Sequence, residues 1–422
     1  MAKGRVIAGI ELGSSKVATI IAQINVDDVT FATSINVIGV SSIESKGIRR
    51  GQIVDIEEVV EATIESVEAA ERMAGYNLDS AYVAIGGAHI SSQNSHGVVA
   101  ISNPDEEIMV DDVDRVIEAA SAVSLPSSRE SLHILPKEYI VDGESGIRDP
   151  VGMSGVRLEV KTHIITASAA ALKNFKRAMD EVGINVNEFV YSGLAASHAV
   201  LTKTEKELGC LLVDVGGGTT SLAVYIEGAM HYSSVIPIGA KNVTNDLAIG
   251  LRVSLESAEK IKIALSRPGN KTKGDKDSDQ IDLNVLGITG NKKVSRKTLT
   301  QGIIRPRLNE IFSMVKLQLD KENLGGKVPS GVIITGGGAE TVGVEDSAKR
   351  MLSLPARLGK PRKLGGLVDD IINPSFATPA GLVIYGTKKE PEQSLTSITR
   401  KIKLPSTGIA GKIIGLVKEL LP

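Results

Sequence analysis

The stretch CLLVDVGGGTTSLAVYIEG, residues 210–228, joins two apolar strands through one aspartate, three glycines and two threonines. A tight turn between buried strands needs glycine for steric reasons alone. A carboxylate just before that turn is different, because a charge in a buried strand costs free energy unless it meets a cation or a polar ligand. Two readings follow. The turn is either an ordinary hairpin, or a clasp whose backbone amides face a phosphate while Asp214 faces the accompanying metal ion.

The same plan occurs at the N-terminus. RVIAGIELGSSKVATIIAQI, residues 5–24, runs an apolar strand into Glu11, turns through Gly13-Ser14-Ser15, and enters a second strand near Lys16. Glu11 and Asp214 stand 203 positions apart, close to half of the 422 residues. A repeat on that scale predicts two similar α/β halves facing each other. A third glycine turn, Gly336-Gly337-Gly338, ends the apolar run VIIT. One such turn says little, but three of them, two carrying a carboxylate in equivalent places, point to a nucleotide cleft. Neither GxxxxGK[ST] nor a GxGxxG opening a helix is found at these turns. After the first two, ATIIAQI and SLAVYIE are strand formers, so a hairpin clasp fits better than a P-loop or a Rossmann turn.

Within that clasp Asp214 is the candidate for the magnesium side, acting through water because Mg²⁺ keeps much of its hydration shell. Glu11 can help to position that shell. The hydroxyls of Ser14, Ser15, Thr219 and Thr220 either donate to phosphate or bond locally within the turns, and Lys16 can meet phosphate charge.

Composition sets limits. A formal charge of −2, with Lys+Arg and Asp+Glu nearly balanced, argues against a general nucleic-acid binder. A single cysteine, Cys210, excludes a disulfide framework and a cysteine zinc site, and its strand position predicts a buried thiol. His89, His96, His133, His163, His198 and His231 lack metal-ligand spacing. No apolar run reaches the ~18 residues a bilayer span requires, so membrane attachment would be peripheral.

Residues 56–74 predict an amphipathic helix with Val59, Thr63, Val67 and Ala70 on one face and Gly75 as its stop. Residues 254–265 predict a capped helix on which Glu259 and Lys262 share a face. They either pair at the surface or bracket a ribose or adenine edge. Residues 268–300 turn polar before the strand-like IDLNVL, as an exposed inserted subdomain or hairpin would.

After GLVIYGTK the pattern breaks into a polar linker, residues 388–408, followed by IAGKIIGLVKELLP. On a helix Ile409, Ile413, Leu416, Val417 and Leu420 gather on one side. From Lys388 onward seven basic residues face three acidic ones. Such a helix needs an apolar surface: an anionic membrane, a partner's groove or the body of the protein itself.

Taken together, GIELGSSKV (9–17), SKGIRRGQIVDIEEV (45–59), AIGGAHI (84–90), SGIRDPVGMSGVRLEVKTHII (145–165), GCLLVDVGGGTT (209–220), IPIGAKNVTNDLAIGL (236–251), ITGGGA (334–339) and FATPAGLVIYG (376–386) resemble the FtsA family of bacterial cell-division actin homologues. The 145–165 stretch is the most specific, since general actin-fold ATPases lack it. The resemblance implies an α/β, actin/Hsp70-like two-lobed fold with duplicated RNase H-like halves and a family-specific inserted subdomain. It implies subdomain 1A at 1–83 and 165–197, 1C at 84–164, 2A at 198–245 and 307–387, and 2B at 246–306. The 388–408 linker and an amphipathic helix at 409–422 complete the chain.

Further implications concern the ligands. ATP with Mg²⁺ is expected in the central cleft, with Glu11 through Lys16 as the first phosphate hairpin and Asp214 through Thr220 as the second. Gly336, Gly337 and Gly338 are expected near the sugar and α-phosphate, and Glu259 and Lys262 beside the adenosine. Self-assembly into membrane-associated filaments is implied, with the tubulin-like division protein FtsZ bound on 246–306. Also implied are downstream divisome partners and a place on the cytoplasmic face of the cell membrane at the division site, held to anionic lipid by the terminal helix. Glu11 stands where many actin-fold ATPases carry aspartate, which fits a nucleotide that is mainly structural or regulatory. No residue identifies itself as a catalytic base. A sugar-kinase-type or pilus-assembly actin-fold protein is the alternative.

Overall fold

The structure, a computed structural model, describes residues 5–26, 33–102, 107–267, 279–288, 293–362 and 364–389. The predicted linker from residue 390 onward and the helix carrying Ile409, Ile413, Leu416, Val417 and Leu420 lie outside the described residues. Chain contacts separate Met1–Tyr385 from Gly386–Pro422.

The duplication read from the two hairpins is present in the sheets. In the first half the order is Asn185–Tyr191, Ser80–Ile85, Arg5–Leu12, Lys16–Val26, Thr33–Glu44, with the two-residue strand Gly365–Gly366 at the edge. In the second half it is Ala356–Leu358, Val332–Thr335, Cys210–Val215, Thr220–Ile226, Ala229–Ile236. Each sheet has three antiparallel strands formed by consecutive hairpins, then two parallel strands reached by crossovers.

Alternation along the central strands explains where the carboxylates point. Successive side chains of a strand face opposite sides. In Cys210–Val215 the side chains of Leu211, Val213 and Val215 enter the second half's core, while Cys210 and Leu212 join the core of the first half. Asp214 belongs to the latter set. It therefore faces the other half at the end of its strand, where the cores give way to a cleft.

The helices follow the sequence. Ile56–Ala74 is capped by Asp55, which accepts from the Glu58 amide, and ends at Gly75 in the left-handed region. Its buried face holds Val59, Thr63, Val67 and Ala70 with Ala62 and Ser66. Leu255–Ser266 starts from the Ser254 cap. In the 268–300 region IDLNVL is less strand than expected: Gln280–Asp282 pairs with Lys293–Ser295, but Leu283–Leu286 coils into a 3₁₀ turn. Asp282 explains this, since its carboxylate caps the Asn284 amide.

Between Ser91 and Ser168 a separate sheet forms, in the order Ser91–Ala100, Arg157–Ser168, Arg129–Val141, Glu144–Ile147. Helix Val110–Ser121 packs on it over a core of its own that includes Ile108, Val116, Tyr139, Leu158 and Val160.

Candidate functional site

The two hairpins close in the same way. The Gly13 amide donates to the Lys16 carbonyl at 3.1 Å, and the Gly216 amide to the Thr219 carbonyl at 2.8 Å. Their tips abut. A Cβ on Gly217 would lie 1.8 Å from Ser15 Oγ and 2.8 Å from Ser15 Cβ, so a side chain at 217 is excluded by the first hairpin. Helix Ala240–Leu251 starts against the second hairpin, where the Ala240 and Lys241 amides donate to the Gly216 and Gly217 carbonyls. Lys241 Nζ then crosses to the Ser14 carbonyl of the first hairpin at 2.7 Å.

These loops border a cleft of about 1030 Å³ lined by Glu11, Gly13, Ser14, Ser15, Lys16, Asp214, Gly216, Gly217, Thr219, Glu259, Lys262, Gly336, Gly337 and Gly338. Two predicted contacts are turned elsewhere. Thr220 is fully buried and its hydroxyl donates to the Ile238 carbonyl at 2.8 Å, so it locks the strand rather than facing the cleft. Gly218 packs against Ser14 and the Arg50 amide and does not line the cavity. Of the serines, Ser14 already accepts from the Gly51 amide at 3.0 Å, which fixes its oxygen locally.

The electrostatics of the cleft floor are those of charges in a low dielectric. Burial raises the Glu11 carboxyl above its ordinary value, with Lys16 opposing. Burial also raises Asp214, to about 7; Glu11 adds to the rise, while the Thr378 hydroxyl and Lys16 oppose it. Burial lowers Lys16, against the pull of Glu11, Asp214 and Glu340. Glu11 Oε2 is buried without a hydrogen-bond partner, since Lys16 Nζ stays 3.9 Å away. A buried oxygen of this kind is costly unless a ligand completes it. Two carboxylates and an orphaned oxygen fit a hydrated Mg²⁺ held through water. Among the described residues no group of three or more His, Cys, Asp or Glu side chains is placed to ligate a metal directly.

Lys16 is held by a segment distant in sequence. Its Nζ donates to the Ser375 carbonyl at 2.5 Å and sits 4.0 Å over the Phe376 ring. Three residues on, the Thr378 hydroxyl donates to Asp214 Oδ2 at 3.2 Å. Gly336, at φ +83°, belongs to the same contact: its amide donates to the Pro374 carbonyl, and a Cβ there would lie 2.3 Å from Asp214 Oδ1. One short stretch thus touches all three glycine turns or their carboxylates.

Glu259 and Lys262 pair with each other in the wall of the cleft. Lys262 Nζ donates to Glu259 Oε2 at 2.7 Å and to Thr244 Oγ1 at 2.9 Å, and Thr244 donates to the same Glu259 oxygen at 2.5 Å. This triangle forms part of the cleft wall.

The sequence reading missed Lys241, Thr244, Ser375, Phe376 and Thr378. Lys241 left a signal as the basic residue just inside a helix that follows a glycine. Gly86-Gly87 left a clearer one. They follow strand Ser80–Ile85 as Gly336-Gly337 follow Val332–Thr335, and Gly86 also lines the cleft. Ser375 and Thr378 lie too far along the chain from their partners for any local pattern to reveal them.

Residues 87–166 match the family model described as the SHS2 domain inserted in FTSA, and residues 211–381 the model for cell division protein FtsA. Cell division protein FtsA of Pseudomonas aeruginosa is 36% identical over 396 residues, covering 94% of this chain and 93% of that protein. Among solved structures, the PilM-PilN type IV pilus biogenesis complex superposes with a TM-score of 0.61 at 15% identity, covering 90% of this chain and 98% of the other. MreB 5 of Spiroplasma citri bound to AMPPNP superposes with a TM-score of 0.51 at 15% identity, covering 94% and 98%. At such identities these two likenesses speak for the fold alone.

Proposed function

The chain belongs to the FtsA family of cell-division proteins with an actin-like fold, and on that premise we propose that it binds ATP with Mg²⁺ between its two hairpins, forms filaments, and tethers FtsZ to the cytoplasmic face of the cell membrane at the division site, where further divisome proteins assemble. The observation that carries the nucleotide part is the buried, unpartnered Glu11 Oε2 beside Asp214, in a cleft floored by two abutting glycine hairpins.

In this reading Glu11 and Asp214 would hold a hydrated Mg²⁺, which would supply the positive charge that lets both carboxylates ionise. The amides of Gly13–Ser15 and of Gly216 and Gly217 orient the phosphates. Lys16 exchanges its Ser375 carbonyl for phosphate charge. Gly336–Gly338 leave room for the sugar and α-phosphate, and the Glu259–Thr244–Lys262 triangle bounds the adenosine. Glu11 reaches one methylene further than an aspartate would. On this reading nucleotide acts mainly as an assembly ligand.

For the partner surfaces, subdomain 2B at 246–306 is assigned to FtsZ. In support, Ile249 and Val285 are exposed apolar side chains on that stretch. Attachment to anionic lipid is assigned to the 409–422 helix on the strength of its sequence, strengthened by avidity when many copies assemble. Among the described residues no helix is long and apolar enough to cross a membrane.

The test is co-sedimentation with anionic vesicles, with and without ATP–Mg²⁺, of the full chain and of a truncation after Pro405. Pelleting promoted by ATP and abolished by truncation is the expected result. If both forms stay in solution under both conditions, the membrane role is wrong.

A further inference from the structure

Beside the hairpins, two hydroxyls face each other in the cleft. Ser192 Oγ and Ser221 Oγ lie 2.9 Å apart, and both residues line the cavity with Glu11, Asp214 and Gly86. Ser221 pairs directly with Asp214 across adjacent antiparallel strands. Partners of that kind share a face of the sheet, with Cβ atoms about 5 Å apart. Gly86 makes the room for the pair: a Cβ there would lie 2.4 Å from Ser192 Oγ and 3.4 Å from Ser221 Oγ. Ser221 is buried, whereas Ser192 is partly exposed and its hydroxyl has no other partner among the described residues. Ser192 can therefore turn its proton from Ser221 to an acceptor that enters the cleft.

Strand order says which acceptor that is. In the second half's sheet Cys210–Val215, which carries Asp214, lies between Val332–Thr335 and Thr220–Ile226. Gly336 follows the first of these neighbours and Ser221 belongs to the second. With the sugar and α-phosphate at Gly336–Gly338, a phosphate chain that passes Asp214 ends at Ser221 and Ser192.

The peptide that carries Ser192 is pinned from three directions. The Tyr191 amide donates to Nε2 of His133, in the inserted sheet, at 3.0 Å. The Tyr191 side chain is fully buried, and its hydroxyl lies 2.8 Å from the carbonyls of both Leu222 and Ser234 in the second half. Ser233, beside Ser234, is where the inserted sheet is seated: Ser92 Oγ donates to its carbonyl at 2.6 Å, and His163 Nε2 bonds its hydroxyl at 2.9 Å. Gly193 lets the Tyr191 ring lie against the start of its own helix, since a Cβ there would lie 2.7 Å from Tyr191 Cε1. Tyr191 thus stands where both halves and the inserted sheet meet, one residue from the cleft.

We propose that Ser192, set by Ser221, takes an oxygen of the terminal phosphate and so tells a nucleoside triphosphate from a diphosphate, and that Tyr191 passes this occupancy to the inserted domain. On the reading of the cleft as an ATP site, from which this follows, a diphosphate is too short to reach Ser192 and leaves it bonded to Ser221. A triphosphate draws the hydroxyl to an anionic oxygen, and a charge-assisted hydrogen bond is stronger than the neutral one it replaces. A shift at Ser192 is felt at the neighbouring residue, whose bonds to His133, Leu222 and Ser234 hold the inserted sheet against the two halves.

Calorimetric titration of the full chain with Mg²⁺–ADP and with Mg²⁺–AMPPNP, a triphosphate that resists hydrolysis, measures the discrimination. The wild type should prefer AMPPNP. Ser192→Ala and Ser192→Ala/Ser221→Ala should each reduce that preference about tenfold and leave ADP affinity unchanged, which also shows that the variants fold. Hydrogen exchange at the Tyr191 amide and in strands Arg129–Val141 and Arg157–Ser168 should differ several-fold between the two nucleotides in the wild type and be equal in Ser192→Ala. Tyr191→Phe should keep the preference for AMPPNP and lose the exchange difference in the inserted strands. If neither nucleotide binds, the ATP reading is wrong and the role of Ser192 falls with it. If both bind but the double variant keeps the wild-type preference, or loses affinity for ADP and AMPPNP alike, the cleft stands as a nucleotide site and the assignment of Ser192 is overturned. Equal exchange with both nucleotides in the wild type, or an exchange difference that survives in Tyr191→Phe, overturns the part given to Tyr191.

Discussion

The hairpins at Glu11–Lys16 and Asp214–Thr219 share a closing bond, a carboxylate before the turn and a place at the end of a central strand, yet they carry different loads. The first presents Ser14, Ser15 and Lys16. The second is bare glycine where the first has its serines. The reason is contact between them: Ser15 fills the space a side chain at 217 would need. The carboxylates differ as well. Asp214 is anchored by Thr378, whereas Glu11 keeps one oxygen buried and unpartnered. In this duplicated fold one copy presents side chains at the turn and the other presents bare backbone.

Placing a side chain on the bare hairpin should have the largest effect. Gly217→Ala drives a methyl into Ser15, and rotating the hydroxyl gives no relief because Ser15 Cβ is also too close. Hairpins pushed apart by about 1 Å should cost roughly 100-fold in ATP affinity and about 2 kcal/mol of stability, read by calorimetric titration and thermal unfolding. Adding Ser15→Gly should recover much of both losses. Additive losses in the double variant would show that the hairpins do not meet as described.

The two carboxylates can be told apart by pH. The folded-state value of Asp214, about 7, lies above the ordinary 3.8, so the folded chain keeps a proton that the unfolded chain releases. Its contribution to stability is full below pH 3.8 and is lost as pH rises through about 7, with a slope of about 1.4 kcal/mol per pH in that window. In urea unfolding of the metal-free protein from pH 4 to 7, the stability of the wild type relative to Asp214→Asn should fall with this slope, and the substitution should weaken Mg²⁺-dependent ATP binding. A difference between the two that is flat or rises over the window would contradict the burial of Asp214.

Smaller effects are expected at the supports. Lys262→Met breaks the triangle with Thr244 and Glu259 and should weaken ATP binding about tenfold, a change of about 1.4 kcal/mol, with little change in Mg²⁺ dependence. Thr378→Val removes the anchor that distinguishes Asp214 from Glu11. It should cost about 1 kcal/mol and move the Asp214 transition to higher pH, so the decline in metal-free stability extends further.

Much of this was legible in the chain. Continuous apolar runs broken by glycine reveal central strands and their turns, and the 203-residue echo of Glu11 in Asp214 reveals the duplication. Helix Ile56–Ala74 could be read from Asp55 to Gly75 because caps are local signals. Thr220 could not be read. Its neighbour Thr219 faces the cleft, and strand alternation turns Thr220 inward to the Ile238 carbonyl, a distinction that depends on where the strand begins. Nor could Ser375 and Thr378, whose partners Lys16 and Asp214 lie 359 and 164 residues away. Contacts of that span are set by how the halves close on each other, and no window of sequence contains them.

Calorimetric titration of ATP into the full chain, with Mg²⁺ and with chelator, asks whether the two hairpins form one site for ATP and Mg²⁺. Saturable one-to-one binding that Mg²⁺ strengthens and Gly217→Ala removes is the predicted result. Absence of saturable binding, or binding indifferent to both Mg²⁺ and Gly217→Ala, would contradict it.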